Sequence, residues 1–103
     1  EVFCFCIATP EMWFHGYQAR AVTQIKLALV TADDTVTGNI VLFVGAERFV
    51  IPVTATLTWV TLTLATPFIG RLAVICDPDD PDFSMLDGED NVIGSLVADW
   101  EVI

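Results

Sequence analysis

A chain of 103 residues has room for one domain with a hydrophobic core, and it is too short for two. Its net charge of −10 at pH 7 repels phosphate backbones and anionic lipid headgroups, so nucleic acid and membranes are excluded as expected partners. Hydrophobic residues make up 54% of the chain, yet no apolar run approaches the roughly 20 residues that cross a bilayer. The surplus apolar side chains are therefore expected to lie between two sheet layers or against other subunits, as in a homo-oligomer.

The first third of the chain predicts two strands on either side of an irregular segment. Residues 2–8 alternate apolar side chains with cysteines and lack a basic leader region, so they predict a strand rather than a signal peptide. Residues 10–20 are rich in aromatic side chains without an apolar period, which predicts an irregular segment. Residues 21–31 alternate and predict a strand with three apolar side chains inward: Ile25, Leu27 and Leu29.

The middle of the chain predicts a hairpin. After a turn at residues 32–35, residues 37–44 form a predicted strand whose second half is apolar on both faces, which is typical of a central or doubly covered strand. Gly45 is the first residue of a two-residue loop and indicates a type II′ turn. Residues 48–53 are the predicted return strand, with Pro52 at its end or on an edge.

Residues 54–64 contain two apolar sets that a regular strand cannot bury together. Leu57 and Trp59 share one parity, and the other parity is shared by Val60, Leu62 and Leu64. Either a bulge near Trp59 or a strand that begins only at Thr58 would reconcile the two sets.

The last third predicts a turn, a short strand, an acidic loop and a closing strand, at residues 67–70, 71–76, 77–90 and 91–103. The complete pattern contains seven or eight strands and no helical amphipathic stretch. It predicts an all-β fold in which residues 1–103 form a single antiparallel two-sheet β-sandwich.

The second half of the chain resembles jelly-roll modules. The resemblance lies in residues 58–64, a turn through Pro67 and Gly70, the strand 71–76, the acidic loop, and the closing residues 98–102. This pattern is similar to the second half of galactose-binding-like and carbohydrate-binding modules, and of similar domains at phage tail-fibre tips. The resemblance implies a non-catalytic jelly-roll β-sandwich, often with a structural calcium ion, and an extracellular or virion-surface location.

No set of residues indicates catalysis, so an enzyme is not predicted. Ser84 and Ser95 are the only serines, and neither lies in a nucleophile elbow. His15, the only histidine, has no recognisable triad partner. Asp99 and Glu101 share one face of the last strand, where a solvated surface is more usual than a glycosidase pair.

The three cysteines cannot all pair within the chain. Cys4 and Cys6 are two residues apart and point the same way in a strand, where a direct bridge would be strained. Either one of them bridges to Cys76, or all three are buried free thiols, and the second interpretation is favoured because a free cysteine packs as a small hydrophobic residue. Zinc binding by the three cysteines and His15 is not favoured, because their spacing matches no known zinc knuckle.

The acidic loop is the best candidate for a metal site. Calcium takes six to eight oxygen ligands from carboxylates and carbonyls, and the candidate ligands are Asp77, Asp79, Asp80, Asp82, Asp87 and Asp90. Gly88 adds flexibility, although the spacing is not that of an EF-hand. The alternative is a hydrated acidic loop that discourages edge-to-edge aggregation.

The aromatic segment is the best candidate for a ligand site. Trp13 and Tyr17, beside His15 and Gln18, are predicted to bind a ligand because sugar sites combine an exposed ring with flanking polar groups. Packing in the core or in a subunit interface is the alternative for these residues. Two further tryptophans, Trp59 and Trp100, are predicted to lie in the core.

Two functions are compatible with these features. The first is a non-catalytic carbohydrate-binding module, whose partner is a glycan. The second is a structural, self-associating subunit of a virion, tail fibre or cell-surface appendage, whose partners are other protein subunits. The high hydropathy favours the second function, and the strand pattern fits both.

Overall fold

A computed structural model describes the backbone of residues 11–103 and the side chains of residues 20–70 and 74–103. The predicted first strand at residues 2–8, with Cys4 and Cys6, lies outside the described residues. Within them the chain is all-β and contains no helix. The five strands are β1 (Glu11–Thr31), β2 (Gly38–Val44), β3 (Glu47–Val53), β4 (Thr58–Cys76) and β5 (Ser95–Val102).

Every strand pair is antiparallel, and the spatial order is β3-β2-β4-β1-β5. This order consists of two three-stranded parts that share β4. In one part, β3 and β2 lie beside the end of β4, since β2 pairs with β4 only at residues 74–76. In the other part, β1 lies between β4 and β5.

Strand β1 is bent. Its 21 residues would extend about 69 Å at 3.3 Å per residue, which exceeds the longest dimension of the molecule, 43 Å. Shifts in the register with β4 lie between Trp13 and Tyr17, between Gln18 and Val22, and between Val22 and Gln24. The prediction of an irregular segment at residues 10–20 is therefore wrong from Glu11 onward, because the aromatic run is a strand whose alternation is interrupted by bulges.

The predicted turn at residues 67–70 is also wrong. Strand β4 continues through it, with Phe68 paired to Val22 and Gly70 paired to Gln18. Between Thr63 and Phe68 the chain of β4 advances five residues while β1 advances two, so Pro67 lies in extra backbone that bends the strand without reversing it. Gly70 has a φ of 118°, a backbone conformation that residues other than glycine rarely adopt.

The structure has five strands in its described part, fewer than the seven or eight predicted. Seven strands can be enumerated from the sequence. Those at residues 58–64 and 71–76 merge into β4, and the one at residues 2–8 lies outside the described part. The two-layer sandwich and the jelly-roll connection stay predictions.

The inward side chains of both three-stranded parts meet in one hydrophobic core. The predicted inward residues of β1, Ile25, Leu27 and Leu29, are confirmed, since each is almost completely buried. They cluster with side chains from β2, β3 and β4, namely Ile40, Leu42, Val44, Ile51, Val53, Leu62, Leu64, Val74 and Cys76. Period-two alternation supplies most of this core from one face of the sheet, and Val41, of the other parity of β2, belongs to it as well.

The hairpin between β2 and β3 is confirmed. Val44 pairs with Glu47, so the loop has two residues, and Gly45 has a φ of 61° while Ala46 does not have a positive φ. This combination is typical of a type II′ turn. Pro52 lies on β3, at the edge of the sheet, where its missing N–H leaves the ladder with β2 intact.

The parity conflict near Trp59 is resolved by the start of β4 at Thr58. Leu57 precedes the strand and is exposed, and Leu62 is buried. The bulge lies instead in β5, where Leu29 pairs with Val97 but its neighbour Ala28 pairs with Asp99. The extra residue lets Val97 be buried and still lets Trp100 pack against the core, as predicted for that tryptophan.

Candidate functional site

The predicted ligand residues all lie on the first half of β1. Trp13 pairs with Ala73, Tyr17 with Arg71, and Gln18 with Gly70, and His15 lies within a register shift. Their side chains lie outside the described residues, so ligand binding by Trp13, His15, Tyr17 and Gln18 stays a prediction.

A different tryptophan lies on an open surface. Trp59 is 51% exposed on the outer face of the part formed by β4, β1 and β5, so its predicted place in the core is wrong. The reason is parity: Leu62 and Leu64 on the same strand are buried, and Trp59 points the opposite way. Thr61 and Thr63 alternate with Leu62 and Leu64 and are a local signal of this parity, but the apolar Leu57 and Trp59 conflict with it.

Polar side chains surround this tryptophan. Two rows cross the face from β4 to β5: first Trp59, Ala28 and Asp99, and then Thr61, Lys26 and Glu101. A third pair, Thr63 and Gln24, extends the same surface. We call the surface formed by Trp59, Thr61, Thr63, Gln24, Lys26, Asp99 and Glu101 the Trp59 face.

The Trp59 face has the dimensions of a shallow platform. Neighbouring strands are about 4.8 Å apart, so the backbones that carry Trp59 and Asp99 are separated by about 10 Å. Asp99 and Glu101 are both exposed, in agreement with a solvated outer face. Ala28 lies between Trp59 and Asp99 and is buried, and its small side chain leaves room for the indole to lie along the sheet.

The acidic loop contacts the outer side of the other part of the sheet. Arg48 lies on the outer side of β3, and its Nη2 is 2.7 Å from Asp80 Oδ1 and 2.5 Å from Asp82 Oδ2. Val41 has the outward parity of β2 and is nevertheless fully buried, and β2 lies between β3 and β4, in agreement with the prediction of a central or doubly covered strand. The ion pairs therefore hold the loop against β3, while Val50 and Ile75 on the same face stay exposed.

The acidic loop also enters the core. Phe83 and Met85 are buried in the hydrophobic cluster. Ser84 pairs with Asn39 of β2, since the Ser84 N–H donates to the Asn39 carbonyl at 2.9 Å and the Ser84 Oγ accepts the Asn39 N–H at 2.8 Å. The loop is thus anchored at its middle, between its two acidic clusters.

The carboxylates of the loop accept hydrogen bonds from the loop itself. Asp80 Oδ1 accepts the N–H of Asp82 at 3.0 Å, and Asp87 Oδ1 accepts the N–H groups of Glu89 and Asn91 at 2.8 and 2.9 Å. The hydrogen bonds from Arg48 lower the pKa of Asp80, and those from Asn91 and Glu89 lower the pKa of Asp87. These groups are therefore charged acceptors that shape the turns.

The predicted calcium ligands do not converge in the structure. Among the described residues, no group of three or more histidine, cysteine, aspartate or glutamate side chains is placed to hold a metal ion. Asp80 and Asp82 form ion pairs with Arg48, whereas Asp87 accepts hydrogen bonds within a separate turn. Calcium binding by the loop stays a prediction.

Thermal melts with excess calcium and with a chelator test that prediction. A calcium ion that binds only the folded chain is expected to raise the unfolding free energy by about 2.7 kcal/mol at a concentration of 100 Kd. The variant Asp79→Asn should lose the rise, and Glu89→Gln, outside the predicted ligand set, should keep it. Identical midpoints with calcium and chelator would count strongly against a calcium site.

Cys76 is a buried free thiol at the end of β4, as predicted. Burial and the neighbouring charge of Asp77 raise the pKa of this thiol to about 12. Because the thiolate is the form that attacks substrates and binds zinc, Cys76 is poorly suited to either task in this setting.

The described residues contain no helix that is long and apolar enough to cross a membrane. No protein-family model, curated protein or solved structure matches this chain.

Proposed function

We propose that this chain is a non-catalytic carbohydrate-binding module built as a jelly-roll-like β-sandwich, acting outside cells or on a virion surface. The observation that supports it most is the half-exposed Trp59 on an open sheet face. An indole that lies along a sheet offers an apolar ring to the C–H face of a sugar. The flanking hydroxyl, amide, carboxylate and ammonium groups can bond sugar hydroxyls.

The charge of the Trp59 face defines the class of glycan. Asp99 and Glu101 outnumber Lys26 on the face, and the whole chain carries a net charge of −10. Sulfated, sialylated and uronic acid-rich glycans would be repelled by this field. Neutral glycans and amino sugars are the expected ligands.

Titration with a panel of neutral glycans, followed by tryptophan fluorescence, tests the proposal. A bound glycan is expected to change the emission of the native chain, and Trp59→Ala should weaken binding about tenfold or more, as expected for a stacked tryptophan at the centre of a site. The melting temperature of Trp59→Ala should change little, because the side chain is half exposed.

Trp13→Ala is the matched control. If the Trp59 face is the site, Trp13→Ala binds like the native chain. If Trp13→Ala loses binding and Trp59→Ala keeps it, the site is the aromatic segment of β1 and the assignment to the Trp59 face is wrong. No response to any glycan in the panel would contradict the function itself.

A second candidate function is a structural, self-associating subunit. The observation that favours it is a stretch of 22 residues without a charge, residues 49–70. Leu57, Trp59 and Ile69 within it are each more than half exposed. Light scattering distinguishes the two functions, since a clean monomer favours the module, and a trimer or polymer favours the subunit.

A further inference from the structure

Strand β4 has a free edge in the described part of the chain. Residues 58–63 pair with β1 on one side, and β2 reaches β4 only at residues 74–76. No other described backbone group bonds to residues 58–64. A row of N–H and C=O groups about 20 Å long therefore faces away from β1.

This edge lacks the features that prevent strands from pairing with other chains. The outermost strands of the sheet both have them: β3 carries Arg48 and Pro52, and β5 carries Asp99, Glu101 and the bulge at Ala98. Charges, proline and bulges at an edge discourage pairing. Residues 58–64 contain no charge, no proline and no glycine, and they are threonine, tryptophan, valine and leucine, which suit a strand.

Glu47 marks one end of the free edge. Its Oε1 accepts the N–H of Ala65 at 2.6 Å. Leu62 and Leu64 are buried while Thr63 and Ala65 are exposed, so alternation continues through this segment. The N–H of Thr61 then points to the same side as that of Ala65, away from β1.

We propose that residues 58–64 pair antiparallel with the same edge of a second copy of this chain. The pairing is self-complementary, as a two-fold dimer requires. Two copies that each carry a net charge of −10 repel one another, and this uncharged edge lets them approach without opposing like charges. Opposed threonines are favourable cross-strand partners.

The proposed dimer adds to the second candidate function and is independent of glycan binding. Pairing through β4 would join the two outer faces into one six-stranded surface that carries Trp59 of both copies. A polysaccharide that contacts both would bind more tightly than a short glycan, because the second contact is intramolecular.

Sedimentation equilibrium of Thr61→Glu and Thr61→Gln tests the pairing. The two variants have almost the same size and shape, and only Thr61→Glu places like charges across the dimer. The native chain and Thr61→Gln are expected to dimerise, and Thr61→Glu to weaken dimerisation about tenfold or more at low salt. In about 1 M salt, the Debye length is roughly 3 Å and the repulsion between the two glutamates is screened. Thr61→Glu should then dimerise nearly as strongly as Thr61→Gln.

Three further measurements make the test specific. Thr61→Pro removes the outward N–H, which is expected to abolish the dimer while circular dichroism shows a folded strand protein. Gln24→Ala changes an uncharged residue of the Trp59 face that lies on β1, outside residues 58–64. It is expected to dimerise normally, so loss of glycan binding and loss of dimerisation are separable. A native chain that stays monomeric overturns both the pairing and the second candidate function, and an oligomer that is equally strong in Thr61→Glu and Thr61→Gln overturns the pairing alone.

Discussion

Leu62→Ala is expected to lower the free energy of unfolding by about 2–5 kcal/mol, because it leaves a cavity among buried side chains. Leu62 is 3% exposed within the core cluster that both parts of the sheet form. Total stabilities of domains are only about 5–15 kcal/mol, so this loss is a large share. In a domain of this size it corresponds to a fall in melting temperature of roughly 10 °C or more.

Leu57→Ala is the matched control for this prediction. Leu57 is 52% exposed just before β4, so the same substitution is expected to change stability by less than about 0.5 kcal/mol. Thermal and urea unfolding of the two variants measures the contrast directly. Equal losses would contradict the start of β4 at Thr58, and a larger loss in Leu57→Ala would mean that the opposite face of the strand is buried and that Trp59 is part of the core.

Gly38→Ala is expected to destabilise the chain by about 1–3 kcal/mol, because a side chain there has no space. A Cβ on Gly38 would lie 2.5 Å from the Ser84 carbonyl oxygen and 2.8 Å from Ser84 Oγ. The backbone of Ser84 would have to move away from β2, which breaks its two hydrogen bonds with Asn39. The anchor of the acidic loop is therefore expected to loosen, with faster hydrogen exchange at the N–H groups of Ser84 and Asn39.

Gly88→Ala is the control for this loop substitution. A Cβ on Gly88 would meet nothing within 4 Å, and this residue lacks a positive φ. Alanine there is expected to be neutral or stabilising by about 0.4–1 kcal/mol, since it restricts the unfolded chain. If Gly38→Ala melts like Gly88→Ala, the close packing of the loop on β2 is wrong.

The acidic loop has a structural role that its charge alone does not indicate. Arg48 pairs with Asp80 and Asp82, and Phe83 and Met85 enter the core. The loop is therefore packed on the part of the sheet formed by β2 and β3, and the Trp59 face lies on the other part. The proposed glycan site is placed on β4, β1 and β5 because Trp59 is exposed there among polar side chains.

Several elements could be predicted because they depend on near neighbours in the chain. The burial of Ile25, Leu27 and Leu29 follows from simple alternation. The hairpin at Gly45 follows from the φ that one residue must adopt. The acidic segment could be predicted as a loop because its charges hold water and its prolines interrupt hydrogen-bond ladders.

The errors concern elements whose partner is far away in sequence. Pro67 and Gly70 are local signals of a turn, but Phe68 pairs with Val22, and this pairing carries the strand through the bend. Residues 11–20 lack regular alternation because bulges interrupt their pairing with β4. Neither effect can be predicted from a short window of residues.

The sequence by itself determined the all-β class, the alternating strands and the acidic loop, because each depends on residues a few positions apart. Only the tertiary structure decided that Trp59 points outward and that the loop is anchored on β2 and β3. The physical reason is register, because a shift of one residue exchanges the buried and exposed faces of a strand. The register of β4 is set by its pairing with β1, which lies far from it in the chain.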